Sequence, residues 1–166
     1  VTAIVVTVSA LAASLGGCVT NAEDVPALDM SRGEVWRTIN ENLHVVDHDW
    51  VVTPWPDSLV HRYGCATNPK SMMPMGPPWK YEELQWKRDP SPEYLTRIGA
   101  GLDDLARYGF TVAPPPRPDD PRDLTARDTQ SFSVIVTYGT EGSATSRVDI
   151  RSLSPCVRHP GEVDDW

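Results

Sequence analysis

A chain of 166 residues, 40% hydrophobic and 23% charged, has room for one domain with an ordinary core and is not disordered in composition. Its formal charge of −8, from 15 basic and 23 acidic side chains, opposes phosphate backbones and argues against nucleic acid as a partner. Sixteen prolines against two phenylalanines point to a loop-rich domain.

Residues 3–17 (AIVVTVSALAASLGG) carry no charge and are rich in Ala, Val and Leu. A membrane-spanning helix needs about 20 apolar residues. This run is shorter, is diluted by Thr7, Ser9 and Ser14, and ends in two glycines. That is the shape of a signal peptide's hydrophobic region followed by a small-residue processing site. In Leu15-Gly16-Gly17-Cys18 an aliphatic residue and two small ones precede a cysteine, which resembles the lipobox of bacterial lipoproteins. The resemblance implies a diacylglyceryl thioether on Cys18, cleavage between Gly17 and Cys18, and acylation (palmitate or similar) of the new amine. The chemistry suits a thiol nucleophile. Two or more acyl chains anchor stably, at about 0.8 kcal/mol per buried methylene. The alternative is a membrane helix that happens to end in Gly-Gly-Cys. The basic residues that usually lead such a run are missing before Val1, so an omitted or misplaced start is expected. With residues 1–17 removed, 18–30 read as the lipidated cysteine and a polar tether. Residues 31–157 read as one domain and 158–166 as a frayed tail.

Ser31-Arg32-Gly33-Glu34 has the spacing of a capping box, with Met30 and Val35 placed as a hydrophobic staple. Val35, Ile39 and Leu43, beside Trp36, give a helical stripe, so a helix is predicted over about 32–45. Residues 49–55 (DWVVTPW) read as a strand stopped by Pro54 and Pro56. Residues 58–66 (SLVHRYGCA) read as a short strand or as a loop pinned by Cys65. The stretch 68–79 (NPKSMMPMGPPW), with four prolines, is expected to lack regular structure, and 80–88 (KYEELQWKR) to form an edge strand.

Ser91, Pro92 and Glu93 start a second helix. Leu95, Ile98, Leu102 and Leu105 form its apolar face and Gly109 its C-terminal cap. Gly99 and Gly101 each cost about 1 kcal/mol against alanine, which close packing on a sheet would explain. Residues 110–113 lead out as a short strand, and 114–130 (PPPRPDDPRDLTARDTQ) read as a long exposed loop. Alternation through Phe132, Val134, Val136 and Tyr138, a glycine-bearing turn at 139–143, and further alternation over 145–153 predict a hairpin with one wet face. The sum is an α+β two-layer sandwich: two amphipathic helices on a mostly antiparallel sheet of three to five strands.

With Cys18 lipidated, Cys65 and Cys156 remain as an even pair in a compartment that permits disulfides. A bond between them would contribute about 4–5 kcal/mol on the chain-entropy model. Two free thiols are the alternative. No catalytic set stands out. His44 and His48, beside Asp47 and Asp49, fall short of the three or four ligands of a metal site. Met72, Met73 and Met75 are soft enough for copper, but methionines in a loop more often cover an apolar groove. Gly142-Ser143-Ala144 is a hairpin turn and not a serine elbow. The acids Asp119, Asp120, Asp123 and Asp128 lie among arginines as a solvated run. No cofactor or metal is expected. Trp55, Trp79 and the three methionines are the candidate ligand groove, for an apolar or sugar-stacking ligand, with burial in the core as the competing reading.

The lipobox, the segment RYGCATNP, the helix ending ARYGF and the hairpin running to SLSPC resemble the small LppA-type lipoproteins of mycobacteria and related actinobacteria. That resemblance implies a cell-envelope address, outside the cytoplasm, and supplies no activity. The functional expectation is a lipid-anchored, non-catalytic binding or interaction module. Its partners would be the membrane, through the anchor, and an envelope protein, lipid or glycan. The alternatives are an envelope hydrolase and a purely structural surface protein.

Overall fold

The computed structural model describes residues 22–52, 61–113, 123–139 and 146–161. Cys18 and Gly17, the expected strand over 49–55 beyond Val52, and Trp55 lie outside them.

After a 3-10 turn at Ala22–Asp24, the elements run β1 (Leu28–Asp29), α1 (Arg32–Val46), β2 (His61–Thr67), β3 (Pro74–Arg88) and α2 (Pro92–Leu105). They continue with β4 (Thr111–Ala113), β5 (Asp123–Arg127), β6 (Ser133–Tyr138), β7 (Arg147–Leu153) and β8 (Val157–Arg158). The chain is mixed α+β with two helices. The expected sheet of three to five strands is overturned: eight strands among the described residues form one sheet that curls into a half-barrel. Its order is β1-β8-β3-β7-β6-β5-β4, with β2 also pairing β3. All pairs are antiparallel except β1 with β8.

The extra strands come from places where local signals are weak. Strands β1, β4 and β8 are two or three residues long, too short to show a period. Strand β5 lies inside the expected loop of 114–130, where Ala126 pairs with Val134 and Leu124 with Val136. Ala126 belongs to the core and Leu124 packs against it. Strand β3 begins at Pro74, inside the stretch expected to be irregular, and is central rather than an edge. Proline removes a ladder donor, so the question is where Pro77 and Pro78 sit. Ala66 pairs with Met75 and Gly64 with Trp79, so Gly76-Pro77-Pro78 opposes Cys65 alone in an irregular break of the ladder. The prolines fall where no strand partner needs their N–H.

Both helices start as their sequences dictate. The Ser31 hydroxyl accepts from the Glu34 amide at 3.2 Å, and Glu34 accepts from the Ser31 amide at 2.8 Å. The Ser91 hydroxyl accepts from the Tyr94 amide at 3.2 Å. Gly109, with φ of 84°, caps a 3-10 turn that extends α2. Helix α1 packs on β3, β7 and α2. Gly101 marks that last contact, because a Cβ there would stand 2.3 Å from the Val46 carbonyl oxygen. The glycine therefore admits the other helix and not the sheet, and Gly99 has open space around it.

The core joins Val35, Ile39, Leu43 and Val46 of α1 and Ile98, Leu102 and Leu105 of α2 to the inward residues of β6 and β7. A disulfide links Cys65 to Cys156 across 91 residues, tying β2 to the segment before β8.

The domain also reaches beyond 31–157 at both ends. Leu28 and Asp29 pair with Val157 and Arg158. The Arg158 guanidinium donates to the carbonyls of Ala22, Glu23 and Val25 at 2.8, 3.2 and 3.2 Å. Residues 22–30, expected as tether, are thus docked on the sheet edge, and residues 158–159, expected as tail, hold them there. His159 Nδ1 lies 2.6 Å from the Met30 carbonyl. A carbonyl only accepts, so Nδ1 carries the proton, and Nε2 accepts from the Tyr81 hydroxyl at 2.8 Å.

Candidate functional site

The residues singled out in sequence do not assemble into one groove among the described residues. Asn68 closes the β2–β3 turn: its side-chain oxygen accepts from Lys70 and Ser71 at 2.9 and 3.2 Å. Its carbonyl accepts from Met72 at 2.8 Å. Met72 and Met73 stand at that tip, 72% and 63% exposed, while Met75 is half-buried in β3. Trp79 packs against the core, with the Arg62 guanidinium 3.7 Å from its ring centroid. Gly76 presses so closely on the same ring that a Cβ would lie 2.5 Å from it. The expected wall is thus a packed side chain, and Met72 and Met73 stand exposed at the turn.

The other chemical candidates have local explanations. His44 and His48 place their rings 5.7 Å apart, and no group of three or more His, Cys, Asp or Glu among the described residues is arranged to hold a metal. Asp128 shapes the β5–β6 turn, accepting from the amides of Gln130 and Phe132 at 2.9 and 2.8 Å. Gly142, Ser143, Asp119 and Asp120 lie outside the described residues.

Two polar groups are buried between helices and sheet: Asp47, weighed in the sequence only as a neighbour of the histidines, and Glu83, which was not singled out. Asp47 closes α1. Its carboxylate accepts from Gln85 Nε2 at 2.6 Å, the Tyr94 hydroxyl at 2.8 Å and the Asp49 amide at 3.1 Å. Arg97 lies 3.8 Å from it and pairs with Asp49 at 2.5 Å. Burial, the bond to Asp47 and its charge push the Tyr94 hydroxyl far above its ordinary range. Both Asp47 oxygens are occupied in fastening α1 to α2 and β3. Glu83 shares the inner face of β3 with Tyr81 and Gln85, and burial pushes its carboxyl pKa above the ordinary value. Its Oε2 and the hydroxyl of its cross-strand neighbour Ser152 are buried without a partner.

The open space is elsewhere, on the solvent side of α1. A cleft of about 570 Å³ runs along this helix, within the range of small-molecule sites. Trp36, Asn40 and His44 recur every four residues along one stripe, with Arg37, Glu41 and Val45 on the next. Trp50 and Val52, just past the helix, and Tyr108, at the end of the turn following α2, complete the walls. The chain matches no known protein family, curated protein or solved structure. The cleft must therefore be read from its own chemistry.

Asn40 builds one wall. It is 3% exposed, donates from Nδ2 to the Trp36 carbonyl at 2.9 Å, and accepts at Oδ1 from Trp50 Nε1 at 2.9 Å. The Trp50 amide donates to the Asp47 carbonyl at 2.8 Å. The indole is therefore held at both its backbone and its ring, which fixes the wall in advance of any ligand. At the rim, Arg37 and Glu41 face one another at 4.0 Å, so the entrance carries balanced charge. The sequence placed Trp36 beside the helical stripe and Trp50 in an expected strand, and singled out neither as a site residue. The one signal for Trp36 is the helical stripe it shares with Asn40, which also looks like an ordinary amphipathic margin.

Proposed function

We propose that this chain is a lipid-anchored binding module of the cell envelope, which takes a small ligand in the cleft along α1 and performs no chemistry on it. The carrying observation is the cleft, whose Trp50 wall is held at both backbone and ring. The address rests on the lipobox at residues 15–18, with Cys18 as the lipidated residue, and on the resemblance to LppA-type lipoproteins. A disulfide fits an oxidising compartment. No described helix is long and apolar enough to cross a membrane.

Two measurements test the two halves. Intact mass of protein isolated from membranes should show the diacylglyceryl adduct on a chain beginning at Cys18; an unmodified Cys18 removes the anchor. Native mass spectrometry of the mature protein after exposure to envelope extract should show a retained small molecule. Val45→Trp, which fills the cleft, should exclude it. Equal retention by wild type and Val45→Trp places the ligand elsewhere and removes the cleft.

A further inference from the structure

Resting on the lipidation of Cys18, we propose that the domain lies directly on the bilayer, with the β2–β3 turn set into the headgroup layer. The link to the anchor is short. Arg158 Nη2 donates to the carbonyls of Ala22, Glu23 and Val25, a charge-assisted clamp. The Leu28 and Met30 amides donate to the Cys156 and Arg158 carbonyls at 2.9 and 3.0 Å. The chain is therefore fastened to the sheet from Ala22 onward. Covalent geometry limits the distance from Cys18 to Ala22 to about 14 Å, whereas a tether free as far as Met30 would reach about 43 Å.

The surface beside this attachment suits a lipid interface. Strand β8 pairs with β3 at Trp79, so Arg158 sits along the half of β3 that begins at the β2–β3 turn. That turn carries Met72 and Met73, the exposed apolar pair, next to Lys70, which is also exposed. Tyr63, 46% exposed, stands on the same half, opposite Lys80. A bilayer interface takes apolar side chains into the acyl boundary, leaves an ammonium among the phosphates and favours tyrosine at headgroup depth. A protein docking on this turn would have to displace a bilayer that the anchor keeps within about 14 Å of Ala22. The other end of β3 is a distant reference: Arg88 pairs there with Arg147, up to about 45 Å from Pro74 in a straight strand.

The test attaches the mature chain to a bilayer at the same sulfur by chemistry. Cys18 is the one thiol left by the Cys65–Cys156 bond, so it couples to a maleimide lipid in phosphatidylcholine nanodiscs that also carry a gadolinium-chelate lipid. In a nitrogen-15 correlation spectrum the Met72 and Met73 amides should lose most of their intensity, and the Arg88 and Arg147 amides should keep theirs. A Gly-Ser spacer of about 20 residues between Cys18 and Val19 leaves the fold alone, lengthens the link to about 27 Å root mean square, and should remove most of the contrast. Arg158→Gln opens the clamp and should reduce the contrast, the dispersion of the same spectrum reporting whether it has folded. Equal loss at the two ends, greater loss at Arg88 and Arg147, or a contrast that either change leaves intact in a folded protein overturns the proposal. Because the coupling is chemical, such a result leaves lipidation in the cell standing. An unmodified Cys18 in the intact mass removes the anchor, and the bilayer with it, whatever the nanodiscs show.

Discussion

The two sides of α1 are built from similar residues and do different things. On the inner side Val35, Ile39, Leu43 and Val46 are at most 1% exposed and interlock with α2 and the sheet. On the outer side Trp36, Val45, Trp50 and Val52 are as apolar, yet they line open space, Val45 and Trp50 while also packing against the core. Asp47, at the inner end of the helix, is met by three donors and locks that side, whereas on the outer side the Trp50 indole, held by Asn40, forms a fixed wall beside open space. Close packing makes a core, and a rigid wall beside a cleft makes a receptor surface.

The comparison can be broken in several places, starting with the largest effect. Replacing both Cys65 and Cys156 by serine should cost about 4–5 kcal/mol in urea unfolding, since the closed loop is long, and should leave the ligand affinity of the folded fraction unchanged. A loss of affinity in the folded protein would mean that the sheet edge and the cleft are one unit. Leu43→Ala removes packing from the inner side and should cost about 2–5 kcal/mol. His44→Ala, one residue further and on the outer side, should stay within about 0.5 kcal/mol of wild type. Similar costs for the two would erase the distinction between the sides. Asp47→Ala strands the Tyr94 hydroxyl and the Gln85 amide and should cost about 1–3 kcal/mol.

The smallest effect is one of pH. Burial raises Glu83 above its ordinary value of 4.5, so the fold favours its protonated form. Its contribution is complete below 4.5 and is lost as pH rises through the folded value. Glu83→Gln should therefore unfold at a higher temperature than wild type at pH 7 and at the same temperature near pH 4. A thermal scan at the two pH values checks both the sign and the window.

Much of the frame was legible in the sequence because it is encoded locally. Ser31 with Glu34, Ser91 with Pro92, and the alternation through Val134 and Val136 each need only neighbours within a few residues. The even cysteine count pointed to the Cys65–Cys156 bond. The size of the sheet was not legible, because β5 has only Leu124 and Ala126 to show, and both acquire meaning opposite Val136 and Val134. The prolines of β3 misled for the same reason. Pro77 and Pro78 are excluded from a ladder in general and tolerated where Cys65 alone faces them. Trp79, expected in a groove with Trp55 and the methionines, packs against Gly76 and Arg62, which lie three and seventeen residues away, while Trp55 lies outside the described residues. The cleft on α1 needed Trp50 and Tyr108 to be brought to one helix, and no spacing in the chain reports that.

The central claim, that the outer side of α1 is the receptor surface, is most directly tested by native mass spectrometry after exposure to envelope extract. Wild type should retain a small molecule and Val45→Trp should not. Equal retention by the two would contradict the assignment of α1's outer side as the receptor surface.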